Sequence, residues 1–119
     1  PPLPPSSAAS DVYKRQMISN TETIPGRTIT ATLGLVTGST VRAKNVFKDI
    51  GAGFKNVVGG ELTAYTELLG EARNEAMLRM MQAASGLGAN AIVNVRFATS
   101  AVAGGAAELF AYGTAVQVQ

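Results

Sequence analysis

The stretch from Glu61 to Ser85 constrains the rest of the chain more than any other. Leu62, Tyr65, Leu69, Ala72, Ala76, Met80 and Ala83 recur at steps of three and four, the period of an α-helix. Leu68, Met77, Met81 and Ala84 widen that stripe to a second face. Glu61, Glu67, Glu71 and Glu75 load the early turns, and Arg73 and Arg79 follow later, as the helix dipole favours. Gly86 or Gly88 closes the segment. A face this wide can pack on a sheet and also on another subunit.

Alternating segments flank this helix. In Thr28–Val36, Ile29, Ala31, Leu33 and Leu35 fall on one side and Thr28, Thr30 and Thr32 on the other, the period of a strand. Thr37-Gly38-Ser39 is a turn signal, and Thr40–Ala43 fits a short return strand. A shorter helix is expected over Asn45–Val58, with Asn45 as N-cap and Phe47, Ile50, Phe54 and Val57 in phase. Gly59-Gly60 ends it in a sharp corner. After the long helix, Asn90–Ala98 alternates, with Ala91, Val93, Val95 and Phe97 together and Asn94 and Arg96 opposite. Thr99–Ala106 reads as a flexible connection. Glu108–Val118 is the last strand: Phe110, Tyr112, Val116 and Val118 share one face, and Leu109, Ala111, Gly113 and Ala115 the other. Both of its faces are apolar, which one helix cannot cover.

The expected fold is therefore α+β. It is a two-layer β-α-β-β protomer in which an antiparallel three-stranded sheet packs on a long helix. Pro1–Gln16 stands apart. It is rich in Pro, Ser and Ala and lacks the apolar run of a signal peptide. PPLPP has the form of an SH3 ligand, but SDVYKRQ resembles translated adaptor sequence, and Met17 follows directly. Residues 1–16 are read as a non-native, disordered leader and 17–119 as a single domain. Without the leader, eight basic and seven acidic residues remain. That balance is too even for a nucleic-acid footprint, and no apolar run reaches membrane-spanning length. A cytoplasmic protein is expected.

The chain has no Cys, His or Trp. Zinc fingers, disulfide scaffolds, thiol nucleophiles and imidazole-dependent triads are thereby excluded. Met77, Met80 and Met81 could offer thioethers to copper(I) or silver, but their place in the helical stripe favours core packing. Glu67, Glu71 and Glu75 share a helical face that could hold a hard divalent cation; a solvated face, with Glu75 paired to Arg79, is the simpler reading. Gly51-Ala52-Gly53 and Asn56 fall short of a nucleotide-binding fingerprint. Arg42, Lys44, Lys48 and Lys55 form a basic neighbourhood without the aromatic residues that nucleic-acid binding would interleave. No spacing singles out a general acid, base or nucleophile, so an enzyme is not expected.

Several short motifs occur together in order: Gly34-Leu35-Val36-Thr37-Gly38, Asn45-Val46-Phe47-Lys48-Asp49, Val57-Val58-Gly59-Gly60, Tyr65, Ala72-Arg73, Ala76, Leu87-Gly88-Ala89-Asn90-Ala91-Ile92-Val93 and Gly113-Thr114-Ala115-Val116. In this combination, spanning Met17–Gln119, the chain resembles the YbjQ family. The resemblance implies a dodecin-like protomer and a homopentameric ring, with short extra strands pairing between subunits. It also implies the family's heavy-metal-binding label, which sits poorly with a chain whose only soft ligands are Met17, Met77, Met80 and Met81. Tyr65 and Arg73 are assigned to assembly, Arg73 pairing with Glu61 or Asp49 across a subunit contact. The expected function is that of a non-enzymatic homo-oligomer holding a metal ion or small ligand between subunits. The alternative is a scaffold ring that binds a protein partner. No catalytic residue is assigned, and the cofactor-binding and metal residues are unknown at this stage.

Overall fold

The computed structural model describes residues 12–42, 60–101 and 107–119. One turn of 3-10 helix, Val12–Arg15, is followed by β1 (Met17–Ile18), β2 (Ile29–Arg42), α1 (Gly60–Gly86), β3 (Ala91–Ala101) and β4 (Ala107–Val118). The sheet has four strands in the order β1-β3-β4-β2. β4 lies at its centre, antiparallel to both β2 and β3, and β1 runs parallel to β3. The three expected antiparallel strands are thus present, with one short parallel strand added. The helix expected over Asn45–Val58 lies outside the described residues. Val12–Arg15, grouped with the leader on sequence grounds, packs against α1, and Tyr13 touches the edge of the core.

The long helix lays a stripe of mostly small residues on the sheet. Ala72, Ala76, Met80 and Ala84, four positions apart, are fully or almost fully buried, with Met81 beside them. Ala83, expected in the stripe, faces solvent, and Ala84 takes its place. Small side chains at a four-residue period let the helix backbone come down close to the strands. The closest approach is at Gly38. A Cβ there would lie 2.2 Å from the Ala76 carbonyl oxygen and 2.2 Å from the Met80 nitrogen. Two residues on, the buried Thr40 hydroxyl donates to the Ala72 carbonyl at 3.2 Å. This packing corrects the expected turn at Thr37-Gly38-Ser39 and the return strand after it. β2 runs straight through, because Gly38 serves helix contact and not chain reversal.

Irregular pairing re-sorts the strand faces. β3 shifts register between Val93 and Arg96, and Asn94 adopts φ 54°, in the left-handed region. This is a β-bulge, which inserts one residue and flips the alternation. Ala91 and Val93 therefore pack on the sheet face away from α1, whereas Ile92 and Val95 join the core beneath it. The expected common face of Ala91, Val93, Val95 and Phe97 is split at Asn94. Gly113 sits opposite the bulge, where a Cβ would meet Ile92, the Val93 carbonyl and Val95 at 2.9–3.1 Å. β2 carries two further register shifts, between Ile29 and Ala31 and between Thr32 and Gly34. Ile29 consequently packs on the far face, Leu33 packs under the helix, and Leu35 is left in solvent.

The far face is covered at one end by the chain itself. Residues Ser19–Thr28 cross it as a strap and press Ile24 onto Ala91, Val93, Val116 and Val118. Burying a side chain of this size contributes about 1.5–3 kcal/mol. The strap is tied by backbone bonds from Asn94 to Thr21 and from Val95 to Ser19, and by a reciprocal pair between Thr28 and Gln119. The Asn90 side chain imitates a strand residue, donating to the Val118 carbonyl at 2.9 Å and accepting from its N–H at 2.8 Å. Thr99–Ala101, expected in a flexible connection, extends β3 instead.

Candidate functional site

The soft-metal candidate is a packing element. Met80 is fully buried and Met81 nearly so, both within the core cluster, and Met77 packs against it. Met17 lies on the other side of the sheet, against the far-face cluster. The four thioethers therefore do not converge. Among the described residues no group of three or more His, Cys, Asp or Glu side chains is gathered as a metal site would require. The donor set of the described residues does not fit a heavy metal.

The glutamates on α1 follow the solvated-face reading. Glu67 and Glu71 are exposed, and Glu75 forms an ion pair with Arg79. Arg79 reaches further, donating to the Ser39 carbonyl and so joining the helix to β2. Arg73 is exposed; the partners expected for it, Glu61 and Asp49, lie outside the described side chains. The same holds for Tyr65 and for the basic neighbourhood of Arg42, Lys44, Lys48 and Lys55.

Sequence reasoning missed two places. One is the corner where the strap meets the β3 bulge. There Arg96 donates to the Asn20 carbonyl at 2.6 Å and to the Val95 carbonyl at 3.1 Å, and the Ser19 and Thr21 hydroxyls lie 2.7 Å apart. These contacts satisfy the strap's own polar groups. The other is the half of the far face that no described segment covers. The register sets Leu35 beside Thr114 and Thr37 beside Tyr112. Leu35 is 71% exposed despite its mid-strand position. Phe110 and Tyr112 are half-buried, their ring centroids 5.8 Å apart. The signal was present in the two-sided apolar pattern of β4, which demands more cover than one helix gives.

The described residues form a small α+β domain with buried methionines in its core and a strap over one end of the sheet's far face. The comparisons with known proteins agree on the family. The YbjQ family model, described as "Putative heavy-metal-binding", matches residues 16–119. A UPF0145 protein of Hahella chejuensis is 64% identical over 103 residues, covering 87% of this chain and 99% of the relative. One from the archaeon Archaeoglobus fulgidus is 58% identical over 106 residues, covering 89% of this chain and 98% of the relative. The chain belongs to the YbjQ family of UPF0145 proteins, and the names of these relatives indicate no enzymatic activity. The fold also matches the crystal structure of a protein of unknown function from Pediococcus pentosaceus, of the DUF74 family. The TM-score is 0.56 at 16% identity, over 87% of this chain and 98% of that one. No helix among the described residues is long and apolar enough to cross a membrane.

Proposed function

We propose that the protein is a non-enzymatic homo-oligomer, a pentameric ring, that holds a small ligand at the seam between subunits. The observation supporting this is the half of the far face that no described segment covers. Leu35 stands 71% exposed in the middle of the edge strand β2, on the face that also carries the half-buried Tyr112 and Phe110 rings opposite Thr37 and Ser39. An apolar strip of this kind on a sheet face offers a surface that a partner can cover. The ligand in this reading is not a thiophilic metal held by one protomer, since the thioethers are committed to packing. The second reading, a scaffold ring for a protein partner, shares the same seam and differs only in what occupies it.

Native mass spectrometry of the untagged chain tests the reading. Five protomers carrying a defined extra mass are expected. Five bare protomers would favour the scaffold reading, and a monomer would overturn both. Leu35→Glu places a charge in the proposed seam and is expected to yield smaller species while leaving the helical circular dichroism intact. Undiminished assembly of that variant would move the seam elsewhere.

A further inference from the structure

Hydrogen bonding fixes which backbone groups of the sheet point outward. The Val116 carbonyl accepts from Asn90, so even-numbered residues at this end of β4 face β3. Odd-numbered residues therefore face β2, and Gly113, Ala111 and Leu109 pair there with Val36, Gly38 and Thr40. The intervening residues of β2, Thr37, Ser39 and Val41, turn their N–H and C=O groups to the edge along which no described strand pairs. No side chain between Ile29 and Val41 is charged, and the strand holds no proline. A long uncharged edge of this kind is a template for strand addition by another chain.

One of its outward carbonyls is occupied. Arg79, held by the Glu75 carboxylate, leans from α1 over the edge and donates to the Ser39 carbonyl. The other side of the sheet repeats the device. The strap covers the outer edge of β3 as far as Val95, and there Arg96 donates to the Val95 carbonyl. A guanidinium in either position fills the acceptor that an incoming strand would need, and sets a charge in its path. We propose that Arg79 is an edge guard: its bond to Ser39 blocks a second copy of this chain from adding a strand along Thr37–Val41. The inference is independent of the ring proposed above, whose seam lies on the sheet face and not on this edge.

The test compares Arg79→Ala with the wild-type chain. Sedimentation across a concentration series and amide hydrogen exchange are the readouts. In Arg79→Ala, association beyond the wild-type species is expected to begin at about tenfold lower concentration, the factor that about 1.4 kcal/mol represents. New protection should appear at the Thr37 and Ser39 amides. Arg79→Lys, which keeps the charge, should behave as wild type. Adding Ser39→Pro to Arg79→Ala removes the outward N–H and should return association to the wild-type onset. Glu75→Gln frees the guanidinium without touching the helix stripe and provides the readout if Arg79→Ala does not fold; a smaller shift in the same direction is expected. Wild-type onset in the folded variants, or extra association without protection at Thr37 and Ser39, would overturn the proposal.

Discussion

Gly38→Ala is the sharpest perturbation this fold offers. The new Cβ would lie 2.2 Å from the Ala76 carbonyl oxygen, 2.2 Å from the Met80 nitrogen and 2.8 Å from the Arg79 carbonyl carbon. All three are backbone atoms of a continuous helix, so no rotamer change relieves them. Ordinary contact requires α1 to rise from β2 by about 1 Å, which also loosens Ala72, Ala76 and Met80 against the sheet. Overpacking of a core typically costs about 1–3 kcal/mol. A clash with rigid backbone belongs at the upper end, about 3 kcal/mol, which lowers the melting temperature by about 12–20 °C in a domain this small. Urea and thermal denaturation followed by circular dichroism would measure it. Gly113→Ala supplies the internal control. Its Cβ would meet two methyl groups that can shift and one carbonyl, at 2.9–3.1 Å, and about 1–2 kcal/mol is expected. A Gly38→Ala protein within about 0.5 kcal/mol of wild type, or less affected than Gly113→Ala, would refute the close-approach argument.

Two further predictions concern the bulge and the methionines. Asn94→Val puts a β-branched residue at φ 54° and should cost about 1–2 kcal/mol by denaturant midpoint, whereas Asn94→Gly should cost little or nothing. The triple change Met77→Leu, Met80→Leu and Met81→Leu nearly conserves volume and should remain folded, with a cost below about 1.5 kcal/mol per site. Silver(I) titration by calorimetry should give the same response before and after that change; a loss of binding would restore the thioethers as ligands.

The helix was legible because its period extends over many turns: Ala72, Ala76 and Met80 are buried as expected, whereas Leu69 and Ala83 face solvent. Strand identity was legible as well, and facing was not. A period of two assigns every later residue from the first, so one inserted residue at Asn94 moves Val95 and Phe97 to the wrong side, and nothing in the local composition marks the insertion. Gly38 shows a different ambiguity. Glycine between Thr and Ser signals a turn, but the same absence of a side chain admits a helix backbone, and only the alanine period on α1 separates the two. Ile24 was hidden because a strap needs one apolar residue among polar ones, which is no pattern at all. At the candidate site, the pairing of Glu75 with Arg79 followed from their spacing. Its extension to Ser39 did not, because a bond to a backbone carbonyl leaves no trace in residue identity.

The position of β4 bears on how the molecule is made. It is the latest of the described elements in the chain, yet it stands at the centre of the sheet with β2 and β3 on either side. Until it is synthesised, β2 and β3 have no partner in common, and α1 has only part of its floor. The pairings that close the sheet join residues from opposite ends of the described chain, Ile29 with Val118 among them. Such a topology makes folding slow, because the sheet cannot close before β4 is available. During that interval the uncharged stretch Ile29–Val41 of β2 is exposed in the nascent chain, and holdase chaperones have their longest opportunity to engage it.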